Sequence, residues 1–208
     1  MKKIFVIWIL LGFISYVAEV NAQSSLTVEA SQLYSSFKFT DSQGTKLNSE
    51  YSGIFAGGYS FNYRYISDGG FMLNTGIGMR KAGATMVYDE MNYTWNLQYA
   101  DAKLGAGYML INERISPYLK VSGYYALMLR GFQTINNEDF NIKESESINT
   151  SDYGIIVNPG VQISINYALS TFFEFNYLMG FKNLEKDESQ KSRNYACGLT
   201  FGLAFSFE

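Results

Sequence analysis

The sequence predicts an all-β chain: an eight-stranded antiparallel up-and-down transmembrane β-barrel, preceded by a cleaved signal peptide. Three observations predict it. Lys2 and Lys3 precede an unbroken apolar or small run from Ile4 to Val17, too short to span as a helix but suited to an export signal. Beyond it, apolar and polar residues alternate with period two in one segment after another, the spacing of strands with two unlike faces. The apolar face is also the bulky one, and an eight-stranded barrel that turned so many Tyr and Phe inward would be overfilled. The bulky face therefore belongs outside, against lipid.

The signal ends in Val20-Asn21-Ala22, small residues of the kind a signal peptidase inspects, so cleavage is expected after Ala22. Residues 1–22 are then the signal peptide and 23–208 a single barrel domain. With two prolines and no low-complexity stretch, no linker divides it. Cys197 is the sole cysteine, which excludes an intrachain disulfide. It also lies far from the cleavage point, where a lipoprotein would need its cysteine.

The first strand lies near Leu26 to Phe39, with its register open. In the second, Tyr51, Gly53, Phe55, Tyr59, Phe61, Tyr63 and Tyr65 oppose Ser52, Gly58, Ser60, Asn62 and Arg64. In the third, Phe71, Leu73, Ile77 and Met79 oppose Asn74, Gly76, Gly78 and Arg80. The fourth changes parity, from Tyr93, Trp95 and Leu97 to Ala100, Ala102, Leu104 and Ala106, and a bulge near Tyr99 would produce that change. Leu119, Val121, Tyr125, Leu127 and Leu129 oppose Lys120, Ser122 and Arg130 in the fifth. The sixth sets Tyr153, Ile155, Val157 and Val161 against Asp152, Asn158 and Gln162; Pro159 should bulge or kink it, since it cannot donate to the ladder. Phe173, Phe175 and Tyr177 oppose Glu174 and Asn176 in the seventh, and Tyr195, Cys197, Leu199, Phe201 and Phe205 oppose Asn194, Gly198, Thr200 and Gly202 in the eighth.

Short connections at 67–70, 112–116 and 168–170 alternate with longer ones at 41–49, 89–92, 136–151 and 183–192, the asymmetry of barrels with short periplasmic turns and longer outer loops. Aromatic residues gather at both strand ends, as two membrane-interface girdles would. Tyr63, Tyr65, Phe71, Tyr108, Tyr118, Tyr167, Phe173, Phe205 and Phe207 mark the turn end. Tyr51, Phe55, Tyr93, Trp95, Phe132, Tyr153, Phe181 and Tyr195 mark the loop end.

Gly57-Gly58-Tyr59, Arg80-Lys81-Ala82-Gly83-Ala84, the stretch from Asn96 to Lys103, Ser151-Asp152-Tyr153-Gly154 with Asn158-Pro159-Gly160-Val161, and the aromatic C-terminal end carry a family resemblance. Together they resemble the outer-membrane β-barrel domain common in Bacteroidetes, a group that includes PorT-like proteins. The resemblance implies a cell outer-membrane location and a role assisting a secretion machine. Such barrels often end on an aromatic residue, whereas this chain ends Phe207-Glu208.

The inward face is expected to hold Arg64, Arg80, Lys103, Lys120, Arg130 and Lys182 against Asp101, Asp152 and Glu174, with Glu29 as a further candidate. Charges of both signs in a narrow lumen could line a solute path. A paired network that plugs the barrel is the better expectation, because unpaired buried charge is costly and eight strands leave room for little beyond side chains. The chain has no histidine, which excludes Ser-His and Asp-His hydrolysis. No catalytic residue, metal or cofactor is expected, and a net charge of −3 with no basic block gives no reason to expect nucleic acid. The expected partners are outer-membrane lipid and a protein held through the acidic segment 136–151, which runs from Asn136 to Ser151; a monomer is expected. The leading role is structural, adhesive or in secretion and assembly. A small transport or diffusion channel and a secreted soluble lipocalin-like barrel are the alternatives.

Overall fold

The computed structural model describes residues 22–41, 43–46, 50–144, 148–186 and 190–207. Apart from Ala22, the expected signal peptide lies outside these residues. Nine strands follow in order: β1 (Ala22–Thr40), β2 (Tyr51–Ser67), β3 (Phe71–Tyr88), β4 (Met91–Met109), β5 (Ile115–Ile135), the short β6 (Glu138–Asn141), β7 (Ser151–Ser164), β8 (Leu169–Gly180) and β9 (Lys191–Phe207). All neighbours are antiparallel. Pairing of β1 with β9 and of β4 with β5 closes a ring of eight, to which β6 adds only a hairpin arm on β5.

The register fixes the stagger of the ring. Stepping across paired residues from Leu26 leads through Tyr63, Thr75, Leu104, Gly123, Ile155, Met179 and Tyr195 to Ser36, ten residues further along β1. Eight strands with that stagger tilt by roughly 40° and enclose a space that side chains alone can fill.

Alternation then sorts the residues. In β1 the odd positions Ser25, Thr27, Glu29, Leu33 and Ser35 are buried and the even positions Leu26, Val28 and Tyr34 exposed, which settles the register left open by the sequence. The outer wall is apolar to a degree water does not favour: Leu104 is 70 %, Ile77 67 % and Leu199 66 % exposed, while Arg64 and Asp152 are fully buried. This is the reverse of a soluble lipocalin-like barrel, and lipid is the solvent that suits it.

Several expectations need correction. The break near Tyr99 exists, but the extra residue is Leu129 on β5: Gln98 pairs with Arg130, and Tyr99 with Met128. β4 keeps one parity, so Trp95, Leu97 and Tyr99 all face inward. Tyr51 also turns in, because β2 gains a residue against β3 between Gly53 and Gly58; it packs beside Phe37 and Trp95. Tyr118 shares the inward parity of Lys120 and is 6 % exposed. Tyr51, Trp95 and Tyr118 leave the expected girdles, as does Tyr93, which shares the parity of Trp95 and stacks on it.

Pro159 produces no bulge. Val157↔Tyr177 and Gly160↔Glu174 keep one register, and Pro159 still opposes Leu119. The connection expected at 89–92 is a two-residue hairpin turn, with Asp89 and Glu90 at φ 49° and 61°, the left-handed pair a type I′ turn requires. The same device at Asn136 and Asn137 (φ 47° and 71°) converts the start of the expected long loop into the β5–β6 hairpin. Its later described part folds back: Ile142 and Ile148, with Leu184, are buried in the mouth of the barrel.

The interior is therefore layered. At the turn end Ile66, Met72, Met109, Tyr118, Phe172 and Ala204 form an apolar floor. At the loop end Leu33, Phe37, Leu97, Met128, Leu178 and the three loop residues form an apolar cap. The charged residues lie between the two.

Candidate functional site: the charged interior

Four cations and four carboxylates meet in this middle layer, in two groups. Nearer the floor, Glu174 on β8 gathers three donors. Its Oε1 accepts from the Tyr118 hydroxyl at 2.7 Å and from Lys120 Nζ at 2.8 Å, and stands 3.5 Å from Arg64 Nη2. Lys120 also lies 3.9 Å from Glu29 Oε1, and Glu29 Oε2 accepts from the Ser60 hydroxyl at 2.7 Å. Arg64 donates to Gln162 Oε1 at 3.0 Å and lies over the Phe172 ring.

Nearer the cap, Arg80 on β3 bridges two carboxylates. Its Nη2 donates to Asp152 Oδ2 at 2.9 Å and its Nε lies 3.4 Å from Asp101 Oδ2. Asp152 Oδ2 also accepts from the Tyr124 hydroxyl and the Asn194 amide, at 2.9 Å and 2.8 Å. The rings of Tyr99 and Tyr124 flank the guanidinium, 4.7 and 4.9 Å away. Lys103, 3.8 Å from Asp101, lies between the groups.

Every charge in the layer has an opposite partner within 4 Å, the condition under which buried charge is tolerable. Small cavities remain among the described residues. One of about 10 Å³ lies among Glu29, Asn74, Lys103 and Glu174, and one of about 30 Å³ between Arg80, Lys103 and Leu178. Each suits a water or two.

Seven of the nine residues expected to form the interior network are thus brought together, along with Glu29: Arg64, Arg80, Asp101, Lys103, Lys120, Asp152 and Glu174. Two are not. Arg130 is exposed on the outer wall, because the extra residue at Leu129 reverses the parity of β5 and gives the inward place to Gly131. Lys182 follows the end of β8, half-buried, and donates to the Ser151 hydroxyl. Sequence reasoning missed Tyr99, Tyr118, Tyr124, Gln162 and Asn194 as members. The signal was present in their parity, which matches that of Asp101, Lys120 and the other inward residues on the same strands.

Chemically, the layer is a set of ion pairs, in which some polar atoms, Arg64 Nε and Asp152 Oδ1 among them, are buried without a hydrogen bond. Among the described residues, the floor and the cap cover the layer at its two ends.

No protein-family model and no curated protein matches this chain. Among solved structures it is similar to the outer membrane protein OprG from Pseudomonas aeruginosa, with a TM-score of 0.50 at 10 % identity over 90 % of this chain and 95 % of that one. It is also similar to Neisserial surface protein A, with a TM-score of 0.48 at 12 % identity over 88 % and 99 %. The attachment invasion locus protein Ail of Yersinia pestis gives 0.42 at 11 % identity over 87 % and 98 %. Identities this low bear on fold alone, and the chain has the fold of a small outer-membrane β-barrel, with an apolar belt suited to that membrane.

Proposed function

We propose that this chain is a non-catalytic, monomeric outer-membrane barrel with a closed interior, whose role is structural, adhesive or in the assembly of a secretion machine. The observation that carries the reading is the ion-paired layer between an apolar floor and an apolar cap. A conducting pore needs a continuous wet path with weak binding along it, and cavities of about 10 and 30 Å³ are no such path. Catalysis needs a reactive group that a substrate can reach, and the titratable groups of the layer are paired and covered. Partners then act on the outside. The PorT-like resemblance favours the secretion role, with a protein contact through the outer cap, where the segment 136–151 presents Glu138 and Asp139 at its exposed hairpin tip. Export would use residues 1–22, removed after Ala22.

Single-channel recording of the purified protein in a planar bilayer tests the closed interior. Quiet bilayers containing correctly inserted protein are expected. Stable, sizeable openings would replace this reading with that of a small diffusion channel.

A further inference from the structure

The charges on the ring's strands are divided by face. The eight strands contain four carboxylates, Glu29, Asp101, Asp152 and Glu174, and all four point inward and are paired. They contain nine cations. Four of these, Arg64, Arg80, Lys103 and Lys120, pair with those carboxylates. The other five, Lys38, Lys81, Arg130, Lys191 and Arg193, are all exposed, all outward, and all in the loop-end half of their strands. Among the described residues none of the five makes an ion pair.

Two features single out this rim. Lys38 on β1 and Arg193 on β9 are direct cross-strand partners, with Lys191 opposite Thr40 beside them. Like charges directly opposite each other destabilise a sheet, so this pair costs the barrel stability unless an anion covers it. Position is the second feature. Arg193 lies two residues beyond the outward, half-buried Tyr195 on its own strand, and Lys38 four beyond the exposed Tyr34. The Lys38 ammonium also sits 4.6 Å over the Tyr195 ring. Aromatic girdles sit at headgroup depth, which puts Lys38, Lys191 and Arg193 at the level of lipid phosphates in the outer leaflet, with Lys81 and Arg130 lower on the wall, inside Tyr88 and Phe132 of their own strands. The carboxylates that could neutralise them from above, such as Asp89, Glu90, Glu138 and Asp139, lie further out in hairpin tips. Among the described residues the turn end carries no matching belt: its exposed charges are Asp68, Glu113 and Arg114, in the connections.

We propose that this rim binds a phosphate-bearing lipid of the outer leaflet, with Lys38 and Arg193 holding the phosphate and the acyl chains lying on the wall below Tyr34 and Tyr195. A guanidinium can grip phosphate through two parallel hydrogen bonds, and an ammonium adds a point charge. The inference does not depend on whether the lumen is closed.

The test uses the full chain, purified in neutral detergent, with lipid binding followed by native mass spectrometry. Lipid A should bind, and its dephosphorylated form should bind about tenfold more weakly. The double variant Lys38→Gln/Arg193→Gln should lose lipid A to a similar extent, while Arg114→Gln at the turn end should not. A second variant, Lys38→Glu, replaces the like-charge pair with a complementary one. It should raise the unfolding midpoint in the absence of lipid and still weaken lipid A binding. Equal binding of the phosphorylated and dephosphorylated forms, or undiminished binding by either Lys38 variant, would overturn the proposal. So would inorganic phosphate displacing lipid A at comparable concentration, which would mark a site for free anions rather than lipid.

Discussion

Asp152 accepts three hydrogen bonds on one oxygen, from Arg80, Tyr124 and Asn194, so its removal leaves a guanidinium and two polar groups without their main partner. Breaking a buried ion pair from one side costs about 3–5 kcal/mol, and Asp152→Ala should lower the urea unfolding free energy of the refolded barrel by that order. Glu174→Ala should behave alike, since it strips partners from Arg64, Lys120 and Tyr118. Packing is as demanding as charge. A Cβ on Gly202 would lie 2.2 Å from the Phe172 ring, which is fully buried in the floor. Gly202→Val should therefore cost about 1–3 kcal/mol through overpacking, read from the same unfolding curves. These residues were unevenly legible in the sequence. Charged members stood out because an ionised side chain within an alternating strand demands a protected face. Tyr99, Tyr118 and Tyr124 did not, because an aromatic residue serves equally well in lipid, in a girdle or in a core, and only its parity relative to a charged neighbour decides.

At the scale of elements, period-two alternation gave eight strands and their order correctly, and register was lost wherever one strand carried an extra residue. Leu129 is the clearest case: it moved Arg130 to the outside, while β4, unbroken, keeps Trp95 and Leu97 on an inward apolar face that resembled a lipid-facing one. A bulge is a property of two paired strands, and neither strand alone announces it. Hairpin tips hid for a different reason. Asn136-Asn137 occupy left-handed φ values that asparagine tolerates better than most residues, yet in a polar stretch they read as loop. Asn137→Gly should leave stability unchanged or raise it slightly, whereas Asn137→Val, a β-branched residue at φ 71°, should cost about 1–3 kcal/mol. Thermal or urea unfolding of the two variants side by side checks the turn type, because a flexible loop would tolerate both equally.

For the whole molecule, the sequence already indicated that the bulky face lies outside, because volume forbids the alternative. What it could not supply was the depth of filling. The apolar cap is completed by Ile142, Ile148 and Leu184, residues of two separate connections, and no periodic pattern places them over a barrel mouth. The account stands on two linked claims, that the odd positions of β9 meet lipid and that its even positions meet a filled interior. Single cysteines introduced in a Cys197→Ser background test both at once, at Leu199→Cys, Phe201→Cys and Leu203→Cys on one face and at Thr200→Cys and Ala204→Cys on the other. In lipid vesicles the first three should react with a membrane-soluble maleimide and not with a charged aqueous thiol reagent, and the last two with neither. Reaction of Thr200→Cys and Ala204→Cys with the aqueous reagent would contradict the filled lumen, and its reaction with the first three would contradict the lipid-facing wall.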